Sequence, residues 1–293
     1  MFHLTVPDVV DALVAAKGRG VDVRVILDGK NLQSHGSAAV AQSLVDHGVV
    51  VTPSSPSFSI THVKAMVVDD ARAYVMSLNL TRPFDHTRDY AVVTDDHGVI
   101  AEIDRVFDAD VDNATNHTGK TPPLTEPSLV WSPVDAEPRI VALLDSAKKT
   151  ILATTENLGD KAVAAAFERA ASRGVSVRLM TPLCDQNSDP LRNVKLVAAL
   201  DKAHVDGRLL PGPATRDQPY THAKMIIVDA ARAFVGSINF SENSMKHARE
   251  LGIVFEDAPA ITAFTRAFDS DWRFAEPPPG PHESTDDLCR SKP

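Results

Sequence analysis

The chain has 293 residues, 43% of them hydrophobic, enough to bury one large core or two of ordinary size. A formal net charge of -9 and a pI near 5.6 argue against a broad nucleic-acid-binding face, which needs clustered Lys and Arg to displace counterions, and no run of about 18 apolar residues is present to span a membrane. Two cysteines, Cys184 and Cys289, imply no disulfide framework, and Met1 is followed by FHLTVPDVV without the basic start and apolar core of a secretion signal, so the compartment stays open.

Pro7 to Lys17 carries Val9, Val10, Leu13 and Val14 at helical spacing and is stopped by Gly18 to Gly20. A strand follows over Val21 to Leu27. A second helix starts at Gly36, with Val40, Leu44 and Val45 inward, and ends at Gly48 before the short strand Val49 to Thr52. This alternation predicts an α/β fold built on a mostly parallel mixed sheet flanked by helices. TPSSPSFS, residues 52–59, is turn-rich and leads into an apolar strand with a hairpin partner at Arg72 to Val75. Thr81 to Thr87 reads as a loop, Asp89 to Thr94 as a strand, and Asp95 and Asp96 cap a helix to about Asp110.

Residues 111–133 gather Pro, Thr and Asn without periodicity and read as a linker between a first half, 1–110, and a second, 134–275. In the second half the pattern predicts a helix from Pro138 to Ala147, a strand from Thr150 to Thr155, a helix from Asp160 to Ser172 and a strand from Val175 to Met180. GVSVRL repeats GVDVRV at an offset of 174 minus 20, or 154, and FDSDW at 268–272 repeats FDADV at 107–111. By that offset Met1 aligns with Thr155, so the opening helix and most of a strand have no first-half counterpart. The expectation is a chain short at its front, with Met1 internal to a longer protein. Residues 276–293 are polar and Pro-rich and read as a disordered tail.

Within this frame one pattern occurs twice. His222, Lys224 and Asp229 fall as H-x-K-x4-D on the apolar run Ala223 to Val228, followed by Ser237, Asn239 and Glu250; His62, Lys64, Asp69, Ser77, Asn79 and Asp89 repeat it. The differences 222 minus 62, 224 minus 64, 229 minus 69, 237 minus 77 and 239 minus 79 are all 160. Histidine and lysine two residues apart on a strand share a face. A neutral imidazole beside a fixed ammonium sets a nucleophile next to an anion-binding charge, which suits attack on a phosphate ester. The offset grows from 154 to 160, so six residues are gained in the second half, around Asp185 to Pro190 and Gly212 to Tyr220. No carboxylate or histidine cluster has metal-ligand spacing, so neither a metal nor another cofactor is expected.

THVKAMVVDDARAYVMSLNL and THAKMIIVDAARAFVGSINF resemble the paired signatures of the phospholipase D superfamily, in its two-motif bacterial form, over about Phe2 to Trp272. The resemblance implies two pseudo-symmetric halves sharing one central active site. His62 would attack phosphorus to give a phosphohistidine, and His222 would protonate the leaving alkoxide and then activate water. Lys64, Lys224, Asn79 and Asn239, with Ser77 and Ser237, would contact the substrate; Asp89 and Glu250 would accept the Nδ1 protons of the histidines, and Asp69 and Asp229 would be structural. Met76 departs from the pattern by standing where the motif has Gly, and Asp89 stands for Glu.

The implied activity is hydrolysis of a phospholipid to phosphatidate and a head-group alcohol, with a nuclease, a cardiolipin synthase-like phosphatidyltransferase and a non-enzymatic phosphate-binding module as alternatives. The acidic balance and Phe58, Phe84 and Tyr220 near the expected mouth favour a phospholipid or similar phosphodiester, with peripheral membrane contact, over nucleic acid. His3, His35, His86 and His247 read as solvated loop histidines and Trp272 as core.

Overall fold

The computed structural model describes residues 1–34, 36–81, 86–184, 189–212 and 214–280. The expectations for His35, Phe84, the loop residues 185–188 and the tail beyond residue 280 lie outside the described residues. The first half runs α1 (Pro7–Gly18), β1 (Arg24–Leu27), α2 (Ser37–Asp46), β2 (Val50–Pro53), β3 (Ala65–Val68), β4 (Arg72–Met76), β5 (Thr87–Arg88), β6 (Ala91–Thr94) and α3 (His97–Asn116). The second runs β7 (Leu129–Ser132), α4 (Ala136–Asp145), β8 (Thr150–Thr154), α5 (Lys161–Ser172), β9 (Ser176–Pro182), α6 (Arg192–Asp201), β10 (Asp206–Leu210), β11 (Tyr220–Thr221), β12 (Met225–Val228), β13 (Arg232–Gly236), α7 (Glu242–Lys246), β14 (Glu250–Phe255) and α8 (Ala258–Trp272).

Local chemistry sets the helix starts. Pro7 opens α1, where its fixed φ fits and its missing N–H costs nothing. Asp96, Asp160 and Asp257 each turn a carboxylate onto free N–H groups of the first turn of α3, α5 and α8.

The second half carries a seven-stranded sheet of order β10-β9-β8-β12-β13-β14-β7. Only β10-β9 and β9-β8 pair parallel; β8-β12, β12-β13, β13-β14 and β14-β7 are antiparallel. The expected mostly parallel sheet is therefore corrected to a mixed one in which antiparallel pairs predominate. The reason is a tight reversal after each motif strand: Asp69 and Asp70 adopt φ of 55° and 49°, Asp229 and Ala230 of 53° and 52°, and two successive left-handed residues are what a type I′ hairpin requires.

In the first half the strands form two separate sheets, β1-β2 and β3-β4-β6. Their second-half counterparts are joined by β8, and no described strand stands between β1 and β3. Met66 and Val68 on β3 are accordingly 37% and 39% exposed, whereas the equivalent Ile226 and Val228 are 0% and 2%. Met1 takes the place of Thr155 by the 154 offset: its amino group donates to Ile26 O at 2.7 Å, as Thr155 N donates to Met180 O at 3.3 Å.

One apolar core lies between the large sheet and α4 and α5, a second under α8, and a third joins the halves, packing Ala73, Val75, Ile100 and Val106 against Leu129, Trp131 and Leu251. The expected linker 111–133 is corrected at both ends. Helix α3 runs on to Asn116, and β7 pairs with β14. Between them the buried Glu102 accepts from Thr125 N at 2.5 Å, Glu126 N at 2.9 Å and Trp131 Nε1 at 3.1 Å, tying the segment down.

Glu276 pairs with Leu209, so the expected tail starts inside the fold. His3 is buried beside Ser37 rather than solvated, and Trp272 is buried with Phe268. Cys184 is disulfide-bonded.

Candidate active site

Each motif histidine is held by the other half. His62 Nδ1 lies 2.8 Å from Glu250 Oε2, and His222 Nδ1 lies 2.8 Å from Asp89 Oδ1. The crossing is built by backbone pairing: Thr61 bridges Arg249, and β5 pairs with β11 so that Arg88 faces Thr221. In both cases the residue before a histidine is paired with the residue before the opposite carboxylate.

Those two arginines are themselves anchored. Arg249 Nη2 contacts Asp110 Oδ1 at 2.9 Å, and Arg88 contacts the two oxygens of Asp271 at 2.6 and 2.8 Å. Asp110 and Asp271 lie in the last turns of α3 and α8, so the end of each half fixes the start of the other half's strand. Arg249 is fully buried and lies over the Phe58 ring at 4.4 Å, so Phe58, expected at the site mouth, is a buried side chain packed on Arg249.

The lysines are pinned back on their own strands. Lys64 Nζ donates to His62 O at 2.9 Å and Lys224 Nζ to His222 O at 2.5 Å. Lys224 has a further partner, Glu156 Oε2 at 3.2 Å, and that oxygen is 3.7 Å from His222 Nε2. Tyr220 OH donates to the other Glu156 oxygen at 3.2 Å. Beside His62 and Lys64 stands the ring of Phe2, 4.7 Å edge-on from the imidazole and 5.0 Å from Lys64 Nζ.

Burial and charge set the state of His62. Burial, then the charges of Lys64, Lys224 and His222, hold the His62 pKa well below its ordinary value, so His62 is neutral. Burial and Lys224 likewise lower Lys64. Burial pushes the Glu250 carboxyl up to about 7, while Glu156, although partly desolvated, is drawn down to about 2 by Lys224, His222 and His62. Burial also opposes ionisation of Asp89, but His222, Lys224 and Ser77 more than offset it.

The serines stand elsewhere than expected. Ser77 and Ser237 are fully buried, and their hydroxyls serve the neighbouring strand: Ser77 donates to Asp89 Oδ1 at 2.7 Å and accepts from Tyr90 N at 2.9 Å, and Ser237 accepts from Leu251 N at 3.2 Å. They hold the carboxylate strands instead of facing the cleft, because each follows directly on the strand that pairs with the carboxylate strand.

Asn239 Oδ1 accepts from Thr155 Oγ1 at 3.2 Å and Asn157 N at 3.1 Å, whereas the buried Asn79 Oδ1 has no partner among the described residues. Asp229 lies at the far turn and accepts from the backbone N–H groups of Lys148, Lys149 and Thr150 at 2.9, 2.7 and 2.8 Å; Asp69 is exposed in the matching turn. Gly236 is required where it stands, since a Cβ there would come 2.4 Å from Gly252 Cα; Met76 fills the equivalent place as a buried side chain. His86 and His247 are exposed.

Sequence reasoning missed Arg88, Arg249, Asp110, Asp271 and Glu156. A signal existed for the first four, because each arginine directly precedes a predicted carboxylate and both aspartates sit in the repeated FDAD and FDSD. Glu156 follows a strand singly and had none. Among the described residues no group of three His, Cys, Asp or Glu is placed to hold a metal ion.

A family model described as "Cardiolipin synthase, PLD-like domain" matches residues 1–111 and 140–272. The chain is similar to phospholipase D Z of Dictyostelium discoideum, 32% identical over 104 residues that make up 35% of this chain and 24% of that protein. It is also similar to probable cardiolipin synthase YwiE of Bacillus subtilis strain 168, 22% identical over 299 residues, 91% of this chain and 58% of that one. It thus spans between about a quarter and somewhat over half the length of these relatives. Among solved structures, phosphatidylserine synthase of Haemophilus influenzae Rd KW20 shares the fold with a TM-score of 0.70 at 12% identity, over 92% of this chain and 78% of that one. The family match runs through both histidine-lysine repeats, and the chain belongs to the phospholipase D-like family.

Proposed function

We propose that the protein is a metal-independent phosphodiesterase of the phospholipase D type, hydrolysing a phospholipid to phosphatidate and a head-group alcohol through a phosphohistidine. The observation that carries this reading is the crossed pair of Nδ1 contacts, both 2.8 Å. An ionised carboxylate can only accept, so it keeps the proton on Nδ1 and presents Nε2 for chemistry.

The surroundings divide the roles. His62, neutral through burial, is suited to attack phosphorus. His222, held at Nδ1 by Asp89 at 2.8 Å, presents Nε2 to the leaving alkoxide as its proton donor. After the alcohol leaves, His222 takes a proton from water, whose oxygen displaces His62 from phosphorus. Lys64, Lys224, Asn79 and Asn239 supply donors for the nonbridging oxygens.

Transfer to an alcohol in place of water is the second reading, favoured by the description of the matching family model. The test is a side-by-side assay, in chelator, on phosphatidylcholine, phosphatidylglycerol and single-stranded DNA. Release of choline with phosphatidate supports hydrolysis, formation of cardiolipin from phosphatidylglycerol supports transfer, and faster turnover of DNA than of either lipid sinks the lipid reading.

A further inference from the structure

The two halves of the site differ in charge at one pair of equivalent positions, 2 and 156, since 156 minus 154 is 2. Where the first half sets the uncharged ring of Phe2 against His62 and Lys64, the second sets the carboxylate of Glu156 against His222 and Lys224. The mechanism above has no step for Glu156.

Its position gives it one. On the reading above, Lys224 Nζ and His222 Nε2 are the atoms that meet the phosphoryl group, and Glu156 Oε2 is 3.2 Å from one and 3.7 Å from the other. Any phosphate bound between them stands within a few ångströms of a second anion. Tyr220 on one oxygen and Lys224 on the other hold the carboxylate in that place. It stays charged over the working range, with a pKa of about 2 set by Lys224, His222 and His62 against the cost of burial.

Lys224 is already paired with Glu156 at 3.2 Å, so a phosphate bound there meets repulsion from that carboxylate, and the repulsion doubles with a second negative charge. A phosphodiester carries one; a phosphomonoester carries nearly two at neutral pH, its second pKa being about 6.

We propose that Glu156 is a charge-selecting residue that admits monoanionic phosphodiesters and repels dianionic phosphate groups, including the phosphomonoester end of the product. This deepens the proposed function and rests on it. Hydrolysis converts a monoanion into a group able to lose a second proton, so the same carboxylate that tolerates the substrate drives the product out once it has been freed from His62.

The test compares the wild-type protein with Glu156→Gln and Glu156→Ser. Inorganic phosphate is titrated by calorimetry, and the KM for bis(p-nitrophenyl) phosphate is measured on the same preparations, so that turnover reports an assembled site. Phosphate is expected to bind ~10- to 100-fold tighter to both variants, the scale of one screened like-charge contact, while the diester KM moves by less than about 3-fold.

Unchanged phosphate affinity in variants that still turn over the diester overturns the inference and leaves the phosphodiesterase reading standing. So does a parallel tightening for phosphate and diester, which means repulsion without charge selection. Should neither variant fold, competition on the wild-type protein decides: dimethyl phosphate binding at least as tightly as inorganic phosphate at pH 8 supports the inference, and the reverse order overturns it. A wild-type protein with no diester turnover and no phosphohistidine sinks the proposed function itself, and the charge-selecting role with it.

Discussion

Asp110, in the last full turns of α3, lies 2.9 Å from the guanidinium of Arg249, the residue that directly precedes the carboxylate holding His62. Arg249 is fully buried, so this pair cannot be exchanged for water contacts if one partner is lost. Arg249→Met should destabilise the protein by about 3–5 kcal/mol, the usual cost of stranding one member of a buried pair. Adding Asp110→Asn should restore much of that loss. Denaturant unfolding of the single and double variants checks it, and strictly additive losses would mean that the two residues act independently.

The two histidines should separate by leaving group. With p-nitrophenyl phosphodiesters, whose phenolate leaves with little help, His222→Asn should still give a burst of p-nitrophenol and accumulate phosphoenzyme, and His62→Asn should give neither. On an alkyl phospholipid both should lose roughly 10²- to 10⁴-fold or more. Mass spectrometry of the trapped enzyme assigns the nucleophile; phosphate on His222 would reverse the roles, and phosphate on neither would remove the covalent intermediate.

Glu250 sets an acid limb. Below its pKa of about 7 the neutral carboxyl donates to His62 Nδ1, which places the imidazole proton on Nε2 and blocks attack; above it the carboxylate accepts and Nε2 is free. kcat/KM should therefore rise with pH through about 7, and Glu250→Gln should abolish that limb. Stability runs the other way. A carboxyl whose folded pKa is raised from 4.5 to about 7 contributes most below 4.5 and loses that contribution as pH rises through about 7. Melting of wild type against Glu250→Gln at pH 4 and pH 8 should show the wild-type protein losing ground at the higher pH.

The motif aspartates should not be equal. Asp229 accepts three backbone N–H groups at the start of β8, and Asp69 shares only the turn conformation. Asp229→Ala should cost about 1–3 kcal/mol more than Asp69→Ala, with KM unchanged in both. A large change in KM with intact stability would instead place the aspartate at the substrate.

Turnover should survive chelation, because on the proposed mechanism Lys64, Lys224 and the asparagines supply the donors that a divalent ion would otherwise provide. Loss of activity in chelator, restored by a divalent cation, would contradict this.

Much of this architecture was legible in the sequence for local reasons. Helix starts at Pro7, Asp96 and Asp160 follow from capping chemistry, and the duplicated histidine and lysine stand at one strand spacing in both halves. The parallel bias was misread because the hairpins turn on Asp69-Asp70 and Asp229-Ala230, without the Asn-Gly that usually marks a tight reversal. The linker was misread because its order depends on Glu102, a single buried carboxylate outside it. The serines lie on the motif's own spacing, and only the pairing of β4 with β6 and of β13 with β14 turns their hydroxyls to the carboxylate strands. Glu156 carries no periodic or repeated signal and becomes visible only when β8 brings it to Lys224.

A site made from two copies of one motif is in principle readable in both directions, so that a diester could present either of its ester oxygens to either histidine. Fusion of the copies into one chain removes that degeneracy, since each copy is then free to change alone. With Phe2 on one side and Glu156 on the other, the cleft acquires a head and a tail. On the proposed mechanism, an unsymmetrical phosphodiester then has one productive orientation, with one of its two P–O bonds always the bond that breaks.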